Sequence, residues 1–209
     1  MRLRNNPHAN EILANSSLVI QNKKDTYFNN KNQVHIEIGT GKGDFIIGMA
    51  KKYPDINFIG VEKFGSVLIK ALAKLEQENI NNVLLLQEDA NNLLEYFNPN
   101  SFNVIYLNFS DPWPKSRHYK RRLTYQSFLN IYRELLCNNG LVKQKTDNKI
   151  LFESSIISFN EYGSKIEMIS VDLHNSVHVK ENVMSEYERK FSQMNNPIYA
   201  INVKLKGVK

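Results

Sequence analysis

Apolar, β-branched runs recur along the chain at 34–38, 56–61, 83–87, 104–109, 141–145 and 166–171, and a last one lies at 198–205. Stretches patterned as helices separate most of them, at 45–53, 65–77, 125–137 and 152–159, with a shorter one at 186–194. Short apolar runs bounded by turn residues read as buried strands. Their alternation with helices predicts an α/β fold, with a parallel sheet covered on both faces. Two connections exceed the usual length. One is the polar stretch of about 30 residues before the first run, expected as an arm or helix packed over the site. The other is 110–122, which follows the fourth run and is stiffened by Pro112 and Pro114.

Ligands of such sheets bind at the carboxyl ends of the strands. Polar residues fall there in phase: Glu37 with Gly39, then Glu62, Asp89, Asp111 and Asp147 after runs one to five. A chain of 209 residues suits one domain spanning 1–209, with 1–30 as its arm. No apolar run approaches the ~20 residues of a membrane span. No apolar signal core follows Met1. The one cysteine, Cys137, excludes an internal disulfide. The expectation is a cytoplasmic protein without membrane contact. Cys137 is expected at a helix end as a buried small hydrophobe.

Net charge is +6, and its placement is informative. The segment from Lys115 to Arg122 carries five cations and no acid, and the rest of the chain carries 22 cations against 21 acids. Charge concentrated in eight residues predicts an anionic partner at one place.

The turn after the first run, Glu37-Ile38-Gly39-Thr40-Gly41-Lys42-Gly43, permits close backbone approach to a ligand. Asp44 stands where a dinucleotide fingerprint needs its third glycine, and P-loop spacing is absent. The site carries acids instead. Carboxylates suit a ligand with cationic and hydroxyl groups, and S-adenosylmethionine has a sulfonium, an α-ammonium and a ribose diol. Glu62 is placed to accept the ribose hydroxyls, and Asp89, beside Ala90, to accept from the adenine amino group. In these features the chain resembles the class I S-adenosylmethionine-dependent methyltransferases. That resemblance implies a Rossmann-like, doubly wound, mostly parallel seven-stranded sheet with helices on both faces.

The stretch Asn108-Phe109-Ser110-Asp111-Pro112-Trp113-Pro114-Lys115-Ser116-Arg117-His118-Tyr119-Lys120-Arg121-Arg122 is the most specific in the chain. It sets a carboxylate, a flat aromatic face and phosphate-binding cations at one strand end. It resembles the bacterial tRNA (guanine-N7-)-methyltransferase family. So do Arg2-Leu3-Arg4, Gly60-Val61-Glu62, Lys145-Thr146-Asp147-Asn148 and Ser185-Glu186-Tyr187-Glu188 with Phe191. Ser185 departs from the threonine usual in the family but keeps the hydroxyl.

The resemblance implies a donor site of Glu37, Gly39, Gly41, Gly43, Glu62, Asp89, Ala90 and Asp111. It implies substrate contacts from Lys115, Asp147, Ser185, Glu186, Tyr187 and Glu188. RNA contacts are implied for Arg117, His118, Tyr119, Lys120, Arg121 and Arg122. The implied target is a guanosine of the tRNA variable loop, position 46 in tRNA numbering. An active monomer without an obligate protein partner is expected.

Guanine N7 carries a lone pair and no proton, so its methylation needs placement rather than a general base. Asp111 is the catalytic candidate, either stabilising charge on the methylated base or holding the guanine edge. Asp147 is a second candidate for that edge, or a helix cap. Ser185-x-x-Glu188 also has capping-box spacing. His174 and His178 lack metal-site spacing, and no metal is assigned. Two other functions compete: a methyltransferase of this fold with another target, and a non-catalytic RNA-binding protein. The first would not explain the basic cluster if its target were a small molecule; the second would not explain the acids.

Overall fold

The computed structural model describes residues 6–192 and 196–207. Its elements run α1 (Ala9–Ala14), β1 (Val34–Ile38), α2 (Asp44–Lys52), β2 (Asn57–Glu62), α3 (Gly65–Glu78), β3 (Val83–Gln87), α4 (Leu93–Tyr96) and β4 (Phe102–Asn108). They continue with α5 (Gln126–Leu135), β5 (Leu136–Thr146), α6 (Lys149–Glu161), β6 (Lys165–Ser170), α7 (Glu186–Ser192) and β7 (Tyr199–Lys204). The seven strands form one sheet in the order β3-β2-β1-β4-β5-β7-β6. The first five are mutually parallel, and β7 runs antiparallel between β5 and β6.

Period-two alternation sorts the side chains onto two faces. Ile36, Ile38, Ile59, Ile105 and Leu107 pack with Phe128, Leu129 and Tyr132 of α5 and Phe152 of α6. Phe58, Val83, Leu85 and Tyr106 pack on the other face with Phe45 and Met49 of α2 and Leu68 and Leu72 of α3. Strand order reverses between β1 and β4, so the crevice of a doubly wound sheet opens at their carboxyl ends. Among the described residues no helix is long and apolar enough to cross a membrane.

The arm lies along the β3 side of the sheet. Leu18 and Ile20 exchange backbone hydrogen bonds with Leu85, both at 2.8 Å, which covers the edge of β3. Helix α1 packs on α3, and the Asn6 amide donates to Ser66 Oγ at 2.8 Å at the start of α3. Arg2-Leu3-Arg4 lies outside the described residues, as does the end of the helix expected over 186–194.

Cys137 differs from expectation. Helix α5 stops at Leu135 and Cys137 belongs to β5. Leu136 pairs with Phe102, but the next register pair is Leu141 with Val104, so 137–140 bulge from the ladder. The Asn138-Asn139-Gly140 turn chemistry hid this early start of the strand. Cys137 is half-buried, and its thiol donates to the Asn100 carbonyl at 2.7 Å.

Candidate active site

The crevice at the switch point is a cleft of about 860 Å³. Gly39, Glu62, Asp89, Ala90, Asp111 and Trp113 all line it. Five of the eight expected donor-site residues therefore meet in one place. Gly39 closes β1 with φ +81°, a conformation glycine adopts without strain. Gly43 begins α2 with φ +80°, and a Cβ there would lie 2.9 Å from Ala71 Cβ. Gly43 thus lets α2 pack closely on α3 and does not line the cleft.

The acids are fixed by backbone amides. Glu62 accepts from Gly41 N at 3.2 Å and from Phe64 N at 3.0 Å, which ties the first turn to the start of α3. Burial pushes its pKa up, opposed by these amides, and the nearby Asp111 carboxylate adds to the rise. Asp89 accepts from Asn91 N at 2.9 Å and from Lys63 Nζ at 2.7 Å. Burial raises its pKa less than the Asn91 amide and Lys63 lower it, so the net shift is downward. Among the described residues Asp111 makes no hydrogen bond or ion pair. An acidic cleft with one free carboxylate and apolar walls from Ile38, Val61 and Phe128 fits a ligand that joins a cationic centre to a flat ring.

Glu37 sits beneath the cleft. It is paired in register with Tyr106, on the sheet face that carries α2, and is 2% exposed. Thr40 Oγ1 donates to it at 2.6 Å and Asn108 Nδ2 at 2.8 Å, so Glu37 braces the glycine turn against β4. Burial raises its pKa to about 7.

The loop after β4 holds two non-glycine residues in left-handed backbone, Phe109 at φ +51° and Trp113 at φ +42°. Each costs on the order of 1–3 kcal/mol and persists where its surroundings over-determine it. The surroundings are visible. Phe109 stacks at a tilt on Tyr187, with ring centroids 5.1 Å apart. Arg122 Nε donates to the Pro112 carbonyl at 2.9 Å, and its Nη2 to the Trp113 carbonyl at 3.2 Å. The Arg121 guanidinium lies over the Trp113 ring at 4.9 Å, and His118 meets that ring edge-on. Two of the cations expected on RNA therefore act inside the loop and fix Asp111 at its tip. Lys115, Arg117 and Lys120 are exposed, and Tyr119 is 44% exposed.

The expected substrate segment divides similarly. Ser185 Oγ accepts the Glu188 amide at 3.0 Å, so Ser185 caps α7. Glu188 is 0% exposed, and its carboxylate accepts from Lys145 Nζ at 2.7 Å, His174 Nε2 at 2.8 Å and Asn182 Nδ2 at 2.6 Å. The structure places Glu188 in a sealed network rather than on an open surface. Glu186 pairs with Lys42 of the first turn at 2.8 Å. Tyr187 donates to Asp147 Oδ2 at 3.2 Å. Asp147 is not a cap, because Asn148 Oδ1 takes that role by accepting Leu151 N at 2.8 Å. The sequence offered no sign that His174, Asn182 and Lys145 converge on Glu188, since they come from distant segments.

Fold and cleft together define a methyltransferase of the doubly wound class. A family described as "Putative methyltransferase" matches residues 31–201. A solved antibiotic-related methyltransferase superposes with TM-score 0.60 at 18% identity, over 82% of this chain and 86% of that one. A tRNA (guanine-N(7)-)-methyltransferase of Oceanobacillus iheyensis is 51% identical over 95% of this chain and 96% of the relative. A Bacillus subtilis protein of the same name is 50% identical over 97% and 98%. The chain belongs to the tRNA (guanine-N(7)-)-methyltransferase family.

Proposed function

We propose that the protein transfers a methyl group from S-adenosylmethionine to N7 of a guanosine in the variable loop of tRNA. The observation that carries this reading is the free Asp111 carboxylate, held by a strained, cation-clamped loop in a cleft that already contains Glu62 and Asp89. When bound, the donor supplies a methyl group on a sulfonium. Glu62 and Asp89 would take its ribose hydroxyls and adenine amino group, with Gly39, Gly41 and Ala90 giving backbone approach. Lys115, Asp147, Glu186 and Tyr187 would support the guanine, Tyr187 through its ring contact with Phe109 of the cleft wall and Asp147 through its bond to Tyr187. N7 has no proton to lose, so no general base is assigned. The methylated ring is cationic, and Asp111 is the group that stabilises it. The reaction belongs in the cytoplasm, with tRNA.

Glu37 gives the donor site a pH dependence. Burial raises its folded pKa to about 7, so the neutral acid is accessible to the free protein near neutral pH. A cation above the turn favours the carboxylate, so donor binding releases a proton there. Donor affinity should rise as pH increases through 7, with proton release seen by calorimetry in buffers of different ionisation enthalpy. Glu37→Gln should abolish the Glu37 part of both effects.

Arg117 and Lys120 are available for phosphates, whereas Arg122 is engaged. Arg117→Ala and Lys120→Ala should each reduce the slope of log affinity for tRNA against log salt by roughly 0.7–0.9. Arg122→Ala should leave that slope nearly unchanged and lower kcat, because Asp111 loses its anchor. Equal slopes in all three variants with wild-type kcat would put the phosphate contacts elsewhere. The position of the target is tested by fragment mapping of methylated tRNA. Label confined to the variable loop supports the reading, and label in another loop contradicts it.

A further inference from the structure

The 3-10 turn Ser116–Arg121 is a ridge between two clefts. Lys120 and Arg121 face the acidic cleft on one side. On the other side Tyr119 and Arg122 wall a second cleft of about 300 Å³, completed by Tyr125 before α5 and by Ile157, Glu161 and Tyr162 at α6. The two clefts share one basic crest and no floor.

The chemistry of the second cleft is that of a base rather than a phosphate. Three tyrosine rings line it, and Tyr119 and Tyr125 meet at 87° with centroids 5.2 Å apart. Ile157 is 58% exposed there and adds an apolar surface beside the rings. Sequence-tolerant stacking on such walls is how proteins hold single-stranded bases. The inner hydroxyls are already used: Tyr162 donates to Asn130 Oδ1 at 2.9 Å, and Ser158 donates to the Thr124 carbonyl. The Gln126 and Glu161 side chains make no hydrogen bond among the described residues. The Arg122 guanidinium in the wall is spent on the Pro112 and Trp113 carbonyls, which leaves Glu161 as the cleft's unpaired charge, repelling a phosphate and accepting from an exocyclic amino group. Exposed Arg117 and Lys120 on the crest attract the phosphates. Charge therefore sorts a strand crossing the ridge, with backbone above and bases on either side.

We infer that this tyrosine-lined cleft receives a second, unmethylated base of the RNA while the target guanine occupies the acidic cleft. The occupant is a base with an exocyclic amino group, in a single-stranded part of the same RNA. This rests on the reading of the substrate as RNA. It makes Tyr125 and Ile157 specificity-determining residues for the reaction.

The test is a thermodynamic cycle between protein and RNA. Unmodified tRNA transcripts with single abasic nucleotides around the target are methylated by wild type, Tyr125→Ala, Tyr125→Phe and Ile157→Ser. One abasic position should raise the wild-type KM roughly tenfold with kcat nearly unchanged. Tyr125→Ala should do the same on intact RNA, and the two losses together should not multiply. Tyr125→Phe should keep the wild-type KM. Ile157→Ser, on the exposed face of α6, should raise KM if Tyr125→Ala fails to fold. The inference is overturned if every abasic effect multiplies with the variants, or if both variants keep the wild-type KM. A changed molar mass by light scattering would assign the cleft to a second copy of the chain and also overturn it. Absence of methylated guanine from wild type on intact RNA would instead sink the parent reading.

Discussion

Asp111→Ala should remove methyl transfer almost completely while leaving the fold intact. Asp111 makes no hydrogen bond or ion pair among the described residues, so no structural contact is lost. The backbone that presents it is held by Arg122 and by the packing of Trp113, not by the carboxylate. The thermal midpoint should therefore match wild type. Losing a preorganised electrostatic partner of a charge that develops in the transition state costs on the order of 10²–10³ in kcat. Asp111→Asn separates the two roles. If the carboxylate stabilises charge, the amide should be nearly as poor as alanine. If it holds the guanine edge, the amide oxygen still accepts one bond and kcat should fall less than KM rises. Activity near wild type in both variants would remove Asp111 from the chemistry. Single-turnover kinetics with saturating donor reads these outcomes directly.

Glu188→Ala should produce the largest loss of stability. The carboxylate is fully buried and serves three donors, of which Lys145 is itself buried. Removing one partner of a buried ion pair leaves an uncompensated charge and costs about 3–5 kcal/mol. For a chain of this size that is roughly a 10 °C fall in thermal midpoint. Segment 172–188 should loosen first, because Lys145 also donates to the Val183 carbonyl and Asn182 Oδ1. Burial alone would raise the Glu188 pKa. The attraction and hydrogen bond of Lys145 outweigh it and set the carboxyl below its usual 4.5. The unfolded chain therefore binds the proton first as pH falls. This contribution is complete above about pH 4.5 and fades through the folded pKa below it. A midpoint within about 2 °C of wild type at pH 7 would mean that the network does not hold the segment.

The fold was legible because its signals are local. Seven apolar runs became seven strands, and three of the acids at their ends, Glu62, Asp89 and Asp111, meet in one cleft because parallel strands deliver their carboxyl ends to one edge. Glu37 is instructive. It lies one residue before the end of β1, and period-two parity puts it with Tyr106 on the α2 face, beneath the turn. That parity was present in the sequence, since Glu37 alternates with Ile36 and Ile38. The basic loop was legible as a sum of charges. Which cations bind inward was not, because the bonds of Arg122 depend on the left-handed backbone at Trp113 nine residues earlier. Glu188 was read from its spacing to Ser185, and the helix cap is real. Its partners Lys145 and His174 carry no local mark, because tertiary packing alone brings 145, 174 and 188 together. Asp147 reads from the sequence as a guanine-edge candidate or a cap, and the cap belongs to Asn148.

The central claim is a reaction, and one measurement addresses it directly. Purified protein is incubated with unmodified tRNA transcript and methyl-labelled S-adenosylmethionine, and the RNA is digested to nucleosides. A labelled 7-methylguanosine peak, absent with Asp111→Ala, is the predicted result. Label in any other nucleoside, or an undiminished peak from the Asp111→Ala protein, would contradict it.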